Sequence, residues 1–174
     1  MIAHDGYPRW LNSGADFLEV DIRRNGHGEF VLAHDAPKPD SLRLTQVLSS
    51  GAPLQLDLKE SGYEVELMSY VRNIEFVVTT PHRESIERIK ERFPHVKAGL
   101  TRTTPELSTA DFVALDQRYV DDGVLAFCAE HALEVWIWTV DDPARLKRYI
   151  NDARVAAVIT NRPDLALRIR SDRS

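Results

Sequence analysis

In the first third of the chain, two of the histidines and three of the carboxylates stand at spacings suited to hydrolysis of a phosphate ester. His4 ends the apolar run Met1-Ile2-Ala3, His34 ends Phe30-Val31-Leu32-Ala33, and Glu19 and Asp21 alternate with Leu18, Val20 and Ile22. Side chains of a strand alternate between its faces, so Glu19 and Asp21 point the same way and can hold one cation between them. Two imidazoles beside such a cation can move protons during hydrolysis, one removing a proton while the other supplies it to the leaving oxygen. A Glu-x-Asp pair at a strand end also serves ordinarily as a solvated edge or a helix cap. Inside a closed barrel no edge is solvated, and inward carboxylates there need a partner or a cation. Asp57 and Lys59 repeat the two-residue spacing and share a face, as a further ligand and a cation or as a plain interior ion pair.

The elements that must position these groups are short β-rich apolar runs separated by helix-like segments, the pattern of a parallel sheet built from βα units. Eight strands are predicted, over 1–4, 17–22, 53–58, 74–79, 96–100, 111–115, 134–139 and 156–160. Eight such units are the count that closes a (β/α)8 TIM barrel, whose sites lie at the carboxyl ends of the strands, where His4, Asp21 and Thr160 fall. Helices are predicted over 41–50, 62–73, 81–93, 121–132, 141–151 and 163–170, several opened by Pro or Asp. Residues 5–16 and 101–110 leave room for only shortened first and fifth helices. Asn25-Gly26-His27-Gly28 predicts a hairpin after the second strand, folding His34 back toward His4 and the Glu19-Asp21 pair. Trp136 and Trp138 flank Ile137, and only Trp138, at the mouth, is expected to look into the barrel. Trp10, Leu11 and Phe17 are expected to form an apolar patch beside the thin first helix, a surface for a homodimer.

The 174 residues suit one domain, expected over 1–170 with a disordered tail at 171–174, and 43 % apolar content supports a continuous core. A net charge of −5 without a basic stripe argues against a nucleic-acid partner. The single cysteine, Cys128, excludes a disulfide framework or a thiolate zinc site. No apolar run is long enough to insert in a membrane and no secretory leader is visible, so a cytoplasmic protein is expected.

In order and spacing, His4-Asp5-Gly6, Gly14-Ala15-Asp16-Phe17-Leu18-Glu19-Val20-Asp21, His34-Asp35 and Asp57-Leu58-Lys59 resemble the glycerophosphodiester phosphodiesterases. Val135-Trp136-Ile137-Trp138-Thr139-Val140-Asp141 and Ile159-Thr160-Asn161-Arg162-Pro163-Asp164 resemble the same family toward the C-terminus. The resemblance implies a metal-dependent hydrolase of a glycerophosphodiester or lysophospholipid-like substrate. It implies one divalent cation, magnesium or calcium, on Glu19, Asp21 and Asp57. His4 and His34 would be the acid–base pair, Lys59 a phosphate contact, and Trp138 an aromatic wall for the alcohol. Three carboxylates without a thiolate suit such a hard ion. The sequence departs from the family where Asp5 replaces an arginine that contacts phosphate, where a Pro-Glu-Asn-Thr segment is missing, and where the insertion after the second histidine is absent. Asp5 must then turn away, bind the metal or pair with a neighbour such as Arg9, and the pocket should be open. Two alternatives stand beside hydrolysis: a spider-venom-type phospholipase D chemistry giving a cyclic phosphate, and a degenerate barrel that binds phosphoesters without turnover.

Overall fold

The computed structural model describes residues 1–172. Among these residues nine strands and six α-helices follow one another: β1 (Ile2–Ala3), β2 (Phe17–Arg24), β3 (Phe30–Leu32), α1 (Leu44–Leu48), β4 (Leu54–Leu58), α2 (Glu64–Val71), β5 (Phe76–Thr80), α3 (Arg83–Arg92), β6 (Ala98–Arg102), β7 (Phe112–Asp116), α4 (Asp122–Glu130), β8 (Glu134–Trp138), α5 (Pro143–Asn151), β9 (Val155–Thr160) and α6 (Pro163–Ser171). Each of the eight predicted strands and the six helices predicted by range is present, with ends moved by a few residues, but the expected shortened first and fifth helices are not. The connections between β1 and β2 and between β6 and β7 carry turns instead of a helix. The expected tail begins inside α6, which runs to Ser171, and its last two residues lie outside the described ones.

Sheet order is β1-β9-β8-β7-β6-β5-β4-β2-β3, and β1 pairs with β2 as well, closing eight parallel strands into a barrel. β3 is the exception, an antiparallel hairpin partner of β2. Its turn is held by Asn25, whose side-chain oxygen accepts from the backbone N–H groups of His27 and Glu29. The Asp and Pro start signals act as expected: Asp121 and Asp142 accept from the first turns of α4 and α5, and Pro143 and Pro163 open α5 and α6.

Alternation along the strands sorts the core into two layers. Leu18, Val20 and Ile22 of β2 and Leu54, Leu56 and Leu58 of β4 face outward and pack under the helices. Ile2, Val77, Phe112, Ala114, Trp136 and Ile159 face inward and fill the barrel below the mouth, with Phe17 and Trp138 against them. Two expectations are corrected here. Trp136 and Trp138 are two residues apart and therefore share a face, so both look inward: Trp136 fills the lower layer, and Trp138 stands above it. Phe17 also points into the barrel, and Trp10 packs against the outer core, leaving only Leu11 of the expected patch at 36 % exposure. A dimer through that side has no apolar surface to support it.

The lower layer depends on Gly99. Phe112 stacks on Trp136 with ring centroids 3.9 Å apart, and a Cβ at Gly99 would fall 2.1 Å from a carbon of the Phe112 ring. Gly99→Ala should therefore displace that ring and destabilise the barrel by about 1–3 kcal/mol, the usual range for overpacking. Chemical denaturation with an unchanged m-value would check this.

Candidate active site

β1 is only two residues long, and the turn that follows it fixes His4. The His4 N–H donates to the Thr160 carbonyl oxygen at 2.8 Å on one side, and the Gly6 N–H donates to the Glu19 carbonyl oxygen at 2.9 Å on the other. Between them Asp5 takes a left-handed backbone conformation (φ 44°), which aspartate tolerates better than most residues, and donates its N–H to Glu19 Oε2 at 2.8 Å. A side chain at position 6 would meet the Ala3 carbonyl oxygen at 2.7 Å, so glycine is required there. The Asp5 side chain is exposed and stands outside the group of converging acids, so of the three outcomes open to it, it turns away. Arg9 lies over the Trp10 ring, 4.6 Å from its centroid.

Residues from the far end of the chain orient the His4 ring. Nδ1 lies 2.9 Å from Asn161 Oδ1, and Asn161 Nδ2 donates to Asp141 Oδ2 at 2.7 Å. Asp141 Oδ1 also accepts from the Asn161 N–H and the Thr160 hydroxyl. Burial alone would raise the Asp141 carboxyl, but these donors outweigh it and hold it below its usual range. An ionised carboxylate only accepts, so the Asn161 NH2 must face Asp141 and its carbonyl oxygen must face His4. His4 Nδ1 therefore carries a proton, and in the neutral ring Nε2 has the free lone pair.

Glu19, Asp21 and Asp57 meet beside this ring, each offering an oxygen within 4.8 Å of the others. The register explains the meeting: Asp21 lies opposite Asp57 across β2 and β4, with Glu19 one inward position below. Lys59 crosses the mouth, its Nζ 2.5 Å from Asp57 Oδ2 and 2.8 Å from Asp21 Oδ1. Both contacts are ion pairs, so one ammonium is shared between two carboxylates. Thr79 donates its hydroxyl to Asp57 Oδ1 at 2.7 Å. Burial, reinforced by the charges of Asp21 and Asp57, pushes the Glu19 carboxyl well above its usual range. Burial would lower the Lys59 ammonium, yet Asp57 and Asp21 prevail and hold it above its ordinary value. When all three carboxylates are ionised, one ammonium leaves two negative charges, which a single divalent cation would cancel. Converging hard oxygen donors and this charge deficit fit a hard divalent ion.

His34 reaches the same cavity from the hairpin. Ala33 N–H donates to the Asp21 carbonyl oxygen at 3.0 Å, and Arg23 Nε donates to the His34 carbonyl oxygen at 3.0 Å. The ring itself is 73 % exposed, with Nδ1 3.0 Å from Asp35 Oδ1. Trp138 donates its indole N–H to the Ala114 carbonyl oxygen at 3.0 Å, which fixes the ring as one wall. His4, Glu19, His34, Gln55, Asp57, Lys59 and Trp138 line a common cavity of about 190 Å³ at the carboxyl ends of the strands. A larger hollow of about 800 Å³ opens around Phe17, Phe76, Phe93 and Trp136, with Glu75, His95 and Lys97 also in its lining. Sequence reasoning passed over Gln55 and Thr79, although Gln55 continues the two-residue series of Asp57 and Lys59. Nor did it assign a role to Asn161 or to His82. The His82 ring is half-buried, Nε2 3.3 Å from the Lys59 carbonyl oxygen.

No protein-family model and no curated protein matches the sequence. Solved structures do. A phosphodiesterase of Oleispira antarctica, in complex with the product sn-glycerol-3-phosphate, superposes with a TM-score of 0.81 at 15 % identity over 98 % of this chain and 96 % of that one. The chain has the glycerophosphodiester phosphodiesterase fold. Glycerophosphodiester phosphodiesterases of Parabacteroides distasonis (TM-score 0.78, 15 % identity, 94 % of this chain and 87 % of that one) and Agrobacterium tumefaciens (TM-score 0.72, 17 % identity, 98 % of each) share it.

The raised Glu19 carboxyl makes a signed prediction. A carboxyl whose folded pKa is raised favours folding below its ordinary pKa, about 4.3, and loses that contribution as pH rises through the folded value. EDTA-treated protein should therefore lose stability from this group as pH rises above the ordinary carboxyl range toward the raised folded value. Glu19→Gln should flatten that slope and raise stability at neutral pH, read from thermal melts across the range.

Proposed function

We propose that the protein is a metal-dependent phosphodiester hydrolase that splits a glycerophosphodiester or lysophospholipid-like substrate into a phosphomonoester and an alcohol. The observation that carries this reading is the convergence of His4, His34, Lys59 and three carboxylates on one cavity at the barrel mouth. Support comes from the fold shared with glycerophosphodiester phosphodiesterases and with a phosphodiesterase that holds sn-glycerol-3-phosphate.

Glu19, Asp21 and Asp57 would hold the ion, magnesium or calcium, which when bound neutralises charge on a phosphate oxygen. His4, with Nδ1 committed to Asn161, presents Nε2 to the cavity as the proton acceptor for the attacking hydroxyl. His34 stands at the exposed rim, where its ring protonates the leaving alcohol oxygen, and Asp35 steadies the charged form. Lys59 carries three N–H donors and has two carboxylate neighbours, so one donor remains for the phosphate. Trp138 offers an apolar face to the alcohol moiety. Asp5, exposed and turned away, places no negative charge against the phosphate, but it supplies no cation either. That missing cation favours the second reading, a barrel that binds phosphoesters without turning them over.

Purified protein incubated with glycerophosphocholine or lysophosphatidylcholine, with and without magnesium or calcium, should release a phosphomonoester seen by phosphorus NMR. A cyclic phosphate in the same spectra would instead identify a substrate hydroxyl as the nucleophile. EDTA and His4→Ala should each lower the rate by about 100-fold or more. Measurable binding of glycerol phosphate without turnover of any phosphodiester would establish the second reading. Asn161→Leu should reduce kcat by about 10- to 100-fold with little change in KM, because it releases the His4 ring without touching the substrate.

A further inference from the structure

At the floor of the cavity one buried polar atom has no partner, Oε1 of Gln55. The residue is 3 % exposed and lines the same cavity as Glu19 and Asp57. It lies opposite Glu19 in the β2–β4 register and two residues before Asp57, so the three share the inward face. Its amide orientation is determined by its neighbours. Thr79 gives its one hydroxyl hydrogen to Asp57 Oδ1 at 2.7 Å, so toward Gln55 Nε2, 3.0 Å away, it can only accept. The nitrogen is thereby turned to β5, and the carbonyl oxygen is the atom left for the cavity. A buried carbonyl oxygen without a hydrogen-bond partner is costly, and a site that receives a ligand is where such an atom is retained.

We propose that Gln55 Oε1 is a fourth protein oxygen of the ion site and biases that site toward calcium over magnesium. The inference rests on Glu19, Asp21 and Asp57 being an ion site. Calcium takes about six to eight oxygens, amide carbonyls included, in a flexible shell, whereas magnesium keeps several waters and uses one or two carboxylates. Three carboxylates and an amide oxygen, projecting from two adjacent strands, form a protein cage of the first kind. Because the amide adds a ligand without adding charge, its effect falls on the ion that needs the larger shell.

Calorimetric titration of calcium and of magnesium into EDTA-stripped, dialysed protein tests this without reference to turnover. The wild-type protein should bind one calcium ion more tightly than magnesium. Gln55→Met, which conserves volume and removes the oxygen, should weaken calcium about tenfold and magnesium less. Gln55→Glu, which keeps an oxygen there, should bind calcium at least as tightly as wild type. Unchanged calcium affinity in Gln55→Met, together with loss of binding in Asp57→Asn, overturns the role of Gln55 and leaves the carboxylate site standing. Should Gln55→Met not fold, Gln55→Glu decides, and weaker calcium binding by it overturns the proposal. A wild-type protein that binds neither ion overturns both the proposal and the site beneath it.

Discussion

Mutual repulsion among Glu19, Asp21 and Asp57 is the constraint around which the mouth of this barrel is organised. Three carboxylates with oxygens within 4.8 Å cannot all stay charged in a buried place unless something offsets them. The chain offers one ammonium, from Lys59, one hydroxyl donor, from Thr79, and one backbone N–H, from Asp5. These leave Glu19 in a position that opposes its ionisation. A cluster so incompletely balanced is poor as a structural plug. The same donors leave room for a divalent charge, and they hold the acids in one arrangement before it arrives.

The two imidazoles are held in different ways, and the difference follows from the elements that carry them. His4 belongs to the closed wall, where both flanking strands bind its turn and the Asn161–Asp141 pair fixes its ring. His34 belongs to the hairpin, anchored through backbone bonds while its ring faces solvent. In the proposed reaction a stationary base and an accessible acid would suit a cavity whose rim carries the exposed ring.

Much of this architecture was legible in the sequence because parallel barrel strands write themselves as short apolar runs. The eight staves, the hairpin at Asn25 and the Asp and Pro helix starts all follow from local chemistry. Carboxylate convergence was legible too, since period-two spacing gives the shared face and parallel register does the rest. Errors arose where the same periodicity was not applied. Trp136 and Trp138 share a face as surely as Glu19 and Asp21 do, and Phe17 shares it with Glu19. Gln55 lay on the same two-residue series and was missed for the same reason, whereas Asn161 takes its meaning from a partner on another element.

The pairing of β1 with β9 joins the first stave to the last, so His4 finds Asn161 across 157 positions of chain. Until that seam shuts, nothing selects the tautomer of the imidazole, and β9 presents a bare hydrogen-bonding edge. The orientation of the His4 ring therefore depends on closure of the barrel at this seam, not on any local stretch of chain.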